Sequence, residues 1–311
     1  MYIKDTRPGD TLDGYYLLKS VYAKRTAGGK PFLSIELTDC SGTVEGKVWD
    51  YSGPISPADT GAVVRVSGTV GEFRGAPQVT VEQIRLAGPD DRYDIQDLVP
   101  TAPLDAQAAL QELRELIGSI QDGDYRRVCA AAIERLGDRF VTLPAAKSVH
   151  HGFRHGLLMH TLYMARTADF LAGLYSSVID RSLLLAGTIL HDMAKCREFV
   201  TSPLGLVTEY SLPGQLLGHL VMGAQEVAKL AEELAMPEEK SLLLQHMILS
   251  HHGEPEYGAA VRPACAESEL LSYIDMIDSR MEIYREQLES LPAGQFSGRI
   301  PALDRRIYHH N

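Results

Sequence analysis

The chain is poor in cysteine: it has four among 311 residues, Cys40, Cys129, Cys196 and Cys265, with no two spaced as a metal-binding or redox pair. That excludes a disulfide frame and a cysteine zinc site, and the four read as small buried apolar groups. Long apolar runs are missing too. The N-terminus, Met1-Tyr2-Ile3-Lys4-Asp5-Thr6-Arg7-Pro8, has no signal-peptide character, and no stretch of about 18 uncharged apolar residues follows. The chain therefore reads as cytoplasmic, without a membrane partner. Positive charge is not in excess either, since 30 Lys and Arg face 41 Asp and Glu for a net −11. This argues against a protein that holds duplex nucleic acid by its overall field. Residues 1–88 carry ten charges of each sign, so the acidic excess lies wholly beyond them.

What is present is an ordinary globular composition, 45% hydrophobic and 23% charged. The length suits two domains, of about 90 and about 200 residues. In the first, short β-type runs alternate with turn signals, at Tyr15 to Lys24, Phe32 to Thr38, Thr43 to Trp49, Ala62 to Glu72 and Gln78 to Leu86. Leu33, Ile35 and Leu37 alternate with Ser34, Glu36 and Thr38, giving an apolar face and a wet one. Five such strands, with a long connection after the third, fit a small all-β Greek-key barrel of OB type over residues 1–88, with an SH3-like barrel as the alternative. Single strands are held by aromatic rings under the bases and a few cations along the phosphates. The candidates are Tyr22, Phe32, Trp49 and Phe73, interleaved with Lys24, Arg25, Lys30, Lys47 and Arg74. Each aromatic has a second reading as barrel core or lid.

Residues 89–105, with prolines and clustered charge, read as a linker. From Ala106 the apolar period becomes helical, through Leu110, Leu113, Leu116, Ile117 and Ile120, then Val128, Cys129, Ala132, Ile133 and Leu136. Further helices are expected at Leu157 to Leu174, Asp180 to Leu190, Leu217 to Leu234, Glu238 to Ser250 and Glu267 to Glu289. Residues 106–311 thus form an all-α bundle, with the wholly apolar run Leu183 to Leu190 at its middle. Leu217 to Leu234 either packs inside or builds a homo-oligomer.

Most of the eleven histidines lie between His150 and His252. In order come His160 within a helical run, the doublet His191-Asp192 ending the buried apolar run, His219, His251-His252, and Asp275 on another apolar helix. Imidazole and carboxylate together suit divalent metals such as manganese, iron, cobalt or zinc, and a carboxylate can bridge two ions. A lone histidine is more often a hydrogen-bonded core or surface group. Five ordered elements beside apolar helices weigh against that reading for the set.

The order His160, His191-Asp192, Asp275, with Met193-Ala194-Lys195 after the doublet, resembles the HD superfamily of phosphohydrolases, and His219 and His251 resemble additions found in its two-metal branch. More closely, a β-barrel followed by His-His-Gly-Phe-Arg-His-Gly-Leu-Leu-Met-His-Thr at 150–161, Gly-His-Leu at 218–220 and Ile-Leu-Ser-His-His-Gly at 248–253 is similar to the bacterial YhaM-type 3′-5′ exoribonucleases over nearly the whole chain. The resemblance implies a metal-dependent exonuclease acting on single-stranded RNA, or DNA. It implies one metal on His160, His191, Asp192 and Asp275, and a second on Asp192, His219 and His251, with His252 as the alternative to His251. Manganese is the first expectation, with iron, cobalt, zinc, nickel or magnesium as alternatives. Where the family commonly has two glycines this chain has His155-Gly156.

Two metals activate a water and clamp a phosphate oxygen, so attack on phosphorus needs no nucleophilic serine. Asp192 and Lys195 are the expected catalytic residues, Lys195 as a cation for the phosphate or, in its plainer reading, as the cap of a helix end. Arg280 and Lys147 read as nucleic-acid contacts or solvated charges, and Asp278 as an acceptor behind a ligand or a surface charge. Two other functions compete: hydrolysis of small nucleotides or cyclic dinucleotides, and RNA binding around a structural metal.

Overall fold

The computed structural model describes residues 1–146, 152–202 and 204–310. They divide into two compact units, Met1–Thr101 with Ser202–Leu206, and Ala102–Thr201 with Val207–Asn311.

The first unit is built on strands β1 (Thr11–Arg25), β2 (Pro31–Asp39), β3 (Gly42–Trp49), β4 (Val63–Phe73) and β5 (Ala76–Leu86). They close into a barrel in the order β1-β2-β3-β5-β4, with β1 returning to β4 and only β3 and β5 parallel. This is the OB arrangement and excludes the SH3-like alternative. The inward set, including Leu33, Ile35 and Leu37 from β2 and Val64, Val66 and Val70 from β4, fills the interior. The wet face of β2 is only partly wet: Ser34 is buried because Lys47 and Glu45 close over it. The β4–β5 turn places Arg74 and Gly75 at φ 55° and 82°, the conformation of a two-residue hairpin. At Gly68, beside a register shift, a Cβ would stand 2.5 Å from the Thr80 carbonyl, so only glycine lets β4 and β5 approach there.

Within residues 89–105 the chain is not a free tether. The short helix α1 (Ile95–Leu98) and the residue after it bring Leu98 and Val99 into a cluster with Leu17 and Val63. Asp91 accepts from Tyr15 and pairs with Arg85.

The second unit contains α2 (Ala106–Gly118), α3 (Gly123–Leu136), α4 (Asp138–Thr142), α5 (Gly156–Leu174), α6 (Arg181–Leu190), α7 (Lys195–Glu198), α8 (Leu212–Glu233), α9 (Glu238–Ser250) and α10 (Ala266–Ser290). Asp105, Asp122 and Asp180 cap α2, α3 and α6 through the first backbone N–H groups. Helix α6 is buried from Ser182 to Leu190 and packs against α3, α5, α9 and α10. It is the axis of the bundle, as its all-apolar run requires.

The helical domain is as expected, and between α7 and α8 it carries a small two-stranded hairpin, β6 (Phe199–Thr201) and β7 (Val207–Tyr210), too short to leave a period in the sequence. Helix α8 starts five residues earlier than expected, at Leu212, capped by Ser211, because Pro213 and two glycines made its first turns look like loop. It breaks at Gly218, where φ is 71° and ψ 166°.

Candidate metal centre

The end of α6 delivers the doublet. His191 continues the helix at its C-cap, so its ring and the Asp192 carboxylate leave the axis together, both fully buried. Around them α5 contributes His160, α8 His219, the end of α9 His251 and His252, and α10 Asp275 and Asp278. Among the described residues donor atoms gather in three overlapping groups, each within 4.8 Å: His160, His191 and Asp275; His191, Asp192 and His251; and His219, His251 and His252.

Asp192 lies between two sets of imidazoles. Its Oδ2 is 3.5 Å from His160 Nε2 and 3.3 Å from His191 Nε2, and its Oδ1 is 3.5 Å from His219 Nε2 and 3.8 Å from His251 Nε2. Asp275 Oδ1 stands 3.5 Å from His160 Nε2. Lys195, one turn on, places its Nζ 2.6 Å from Asp192 Oδ2.

The outer nitrogens explain why the inner ones converge. His191 Nδ1 and His251 Nδ1 each face a backbone carbonyl at 2.7 Å, from Thr188 and Ile248. A carbonyl only accepts, so Nδ1 carries the proton and the neutral ring offers Nε2 as a lone pair. His160 Nδ1 meets Asp278 Oδ2 at 2.7 Å, which settles Asp278 as an acceptor behind an imidazole rather than a surface charge. His160 Nε2 and His191 Nε2 then face each other at 3.2 Å. Asp192 Oδ1, His219 Nε2 and His252 Nδ1 are buried with no hydrogen-bond partner among the described residues.

Such an arrangement is costly without a cation among the donors. The electrostatics agree. Burial alone would raise Asp192, yet Lys195 and His191 hold it well below the usual carboxylate range. Burial pulls Lys195 down, but Asp192 outweighs it and raises the ammonium. His251 is driven far below the ordinary imidazole value by burial, then by His191 and His252. His191 is raised, because Asp192 and Asp275 outweigh its burial, as befits a cluster short of positive charge. The residues therefore fit divalent cations and could hold them.

Not every candidate joins this centre. His155, at φ 65°, sits at the start of α5 with Nδ1 2.7 Å from the Val141 carbonyl, outside the three donor groups. His150, His151 and Lys147 lie outside the described residues. Glu198, which sequence reasoning missed, is buried against His219, accepting from its backbone N at 3.1 Å. A four-residue helix leaves no period that could have flagged it.

On the barrel, strand pairing aligns Tyr22, Ser34 and Lys47 in one row and Lys24, Phe32 and Trp49 in the next. Tyr22, Trp49 and Phe73 are 57%, 50% and 54% exposed, so none of the three is core. Phe32 packs on Trp49 at 4.9 Å between centroids. Lys24 lies 5.5 Å from the Tyr22 ring and Arg74 5.2 Å from that of Phe73. Two of the cations are already paired, Lys30 with Asp50 and Lys47 with Glu45, and Arg25 donates to the Gly29 carbonyl.

Residues 157–280 match the model of the HD domain, and residues 20–87 that of the OB-fold nucleic acid binding domain. Over its length the chain is similar to proteins named 3′-5′ exoribonuclease YhaM. That of Bacillus licheniformis is 36% identical over 308 residues, 97% of this chain and 95% of the relative. That of Bacillus subtilis is 36% identical over 303 residues, 97% and 95% of the two chains. That of Listeria monocytogenes is 35% identical over 308 residues, 98% and 97%.

Proposed function

The chain belongs to the family of YhaM 3′-5′ exoribonucleases, and from that premise we propose that its His/Asp cluster holds two divalent cations, manganese first among them, for hydrolysis at the 3′ end of single-stranded RNA. The protein is a metal-dependent 3′-5′ exoribonuclease with an HD domain and an OB-fold nucleic acid binding domain.

The observation that carries the two-cation reading is the division of Asp192, with Oδ2 beside His160 and His191 and Oδ1 beside His219 and His251. His160, His191, Asp192 and Asp275 would hold one ion. Asp192, His219 and His251 would hold the other, with His252 as the alternative to His251. Cations held there would supply acidification of a water and neutralisation of the charge that builds on the phosphate oxygens.

The side chains supply the rest. Asp192 divides its two oxygens between the imidazole sets, and the carbonyls of Thr188 and Ile248 fix the rings of His191 and His251. Lys195 holds Asp192 in that orientation and, partly exposed, offers its ammonium to the scissile phosphate. No serine or cysteine nucleophile is required. On the barrel, Tyr22, Phe32, Trp49 and Phe73 stack bases, while Lys24, Arg25, Lys30, Lys47 and Arg74 follow the phosphates. We place this work in the cytoplasm; among the described residues no helix is long and apolar enough to cross a membrane.

The test is digestion, with manganese, of 5′-labelled single-stranded RNA and the matching DNA beside a panel of nucleotides and cyclic dinucleotides. RNA shortened stepwise from its 3′ end is expected. Turnover confined to the small nucleotides would move the chain to the small-molecule reading, and binding without cleavage to the structural-metal reading.

A further inference from the structure

The break of α8 at Gly218 removes the helical partner of the next backbone N–H, that of His219, as at any helix N-terminus. The replacement comes from another element. Glu198, the last residue of α7, accepts from His219 N with Oε1 at 3.1 Å, and faces His219 Nδ1 with Oε1 at 3.3 Å and Oε2 at 3.2 Å. Glu198 is only 6% exposed, and a carboxylate at that depth is costly unless its oxygens are hydrogen-bonded. Both are turned to one residue. The seat is also tight: a Cβ on Gly214 would stand 2.5 Å from the Glu198 carbonyl and 3.0 Å from its Cγ.

We infer that Glu198 is a positioning residue for the second cation site. It grips His219 by backbone and ring together, so Nδ1 keeps its proton and Nε2 is presented as a lone pair 3.5 Å from Asp192 Oδ1. The inference rests on the two-cation reading and adds to it a residue that ligates nothing itself. Its effect is confined to one site. His160, His191 and His251 have their own acceptors in Asp278, the Thr188 carbonyl and the Ile248 carbonyl, whereas His219 takes its acceptor from Glu198.

The test is calorimetric titration of the metal-stripped, full-length protein with Mn²⁺, joined to elemental analysis after dialysis, for wild type, Glu198→Ala, Glu198→Gln and His219→Ala. Wild type should show two sites, and His219→Ala should lose one. Glu198→Ala should leave the first affinity in place and weaken the second by roughly 10- to 100-fold, the usual loss when the partner behind a ligating histidine is removed. Glu198→Gln, whose amide oxygen still accepts from the His219 backbone, should recover part but not all of it. Wild-type affinity at both sites in either folded variant overturns the inference. One ion per wild-type chain, unchanged in His219→Ala, overturns instead the two-cation reading beneath it. Should Glu198→Ala fail to fold, the Glu198→Gln titration decides.

Discussion

If Trp49 stacks bases as proposed, replacing it with alanine should separate RNA capture from chemistry, because this ring does little for the fold. Half its surface is exposed, and its aromatic contact is the tilted pair with Phe32 at 4.9 Å. Losing that pair should cost the barrel about 0.5–1.5 kcal/mol, a small shift in melting. A base stacked on the exposed ring is worth about 1–3 kcal/mol. At about 1.4 kcal/mol per tenfold, KM for an oligoribonucleotide should rise roughly 5- to 150-fold. The assay is steady-state kinetics on a single-stranded oligoribonucleotide and, in parallel, on an activated small phosphodiester that carries no nucleobase to stack. KM for the oligonucleotide should climb while its kcat and the small-ester rate hold. An unchanged KM, or equal losses on both substrates, refutes the assignment of this face to RNA.

Removing the acceptor behind His160 with Asp278→Ala should raise the Mn²⁺ concentration needed for half-maximal activity by roughly 10- to 100-fold; an unchanged requirement would mean that this hydrogen bond does not tune His160 as a ligand. Gly187→Ala would put a Cβ 2.3 Å from Met247 Cε and 2.5 Å from its Sδ, where α6 meets α9. Thermal melting should show a loss of about 1–3 kcal/mol, and an unaltered Tm would mean that Met247 swings aside freely. Lys240 bridges Asp122 and Asp124 at 2.6 Å each. Asp122 is held low against the push of burial, by Lys240 and its capped N–H groups, and Asp124 is held low first by Lys240. Depressed carboxyls contribute stability that is present above their unfolded value, about 3.9, and lost as pH falls through the folded values. Lys240→Met should therefore be less stable than wild type at neutral pH, with the two denaturation curves converging below about pH 4; a gap that persists in acid contradicts this.

Much of the architecture was legible because its signals are periodic. The alternation at Leu33, Ile35 and Leu37 marked a barrel wall, and the unbroken apolar run from Leu183 to Leu190 marked the central helix that ends in His191-Asp192. The histidines were legible because imidazoles in that order beside buried helices are rare. What escaped was set by single contacts. Nothing in Lys195-Cys196-Arg197-Glu198 announces that the glutamate turns inward to the backbone of a residue 21 positions away. The first turns of α8 were hidden by Pro213, Gly214 and Gly218, residues that read as loop but here open a helix, allow a close approach and break it. The segment at 89–105 carries linker composition, yet Leu98 and Val99 are buried, a distinction that depends on where the barrel leaves an apolar patch. Among the aromatics, only three-dimensional exposure separates Trp49 from a core residue.

The account turns on Asp192 as the carboxylate common to two cations, and counting metal ions in purified full-length protein tests it most directly. Metal-replete, active wild type should carry two divalent ions per chain, and His219→Ala or His251→Ala one. Asp192→Ala should retain neither firmly and should not hydrolyse RNA, while still folding. An active wild type with a single ion, or an Asp192→Ala protein that degrades RNA at the wild-type rate, would contradict the account.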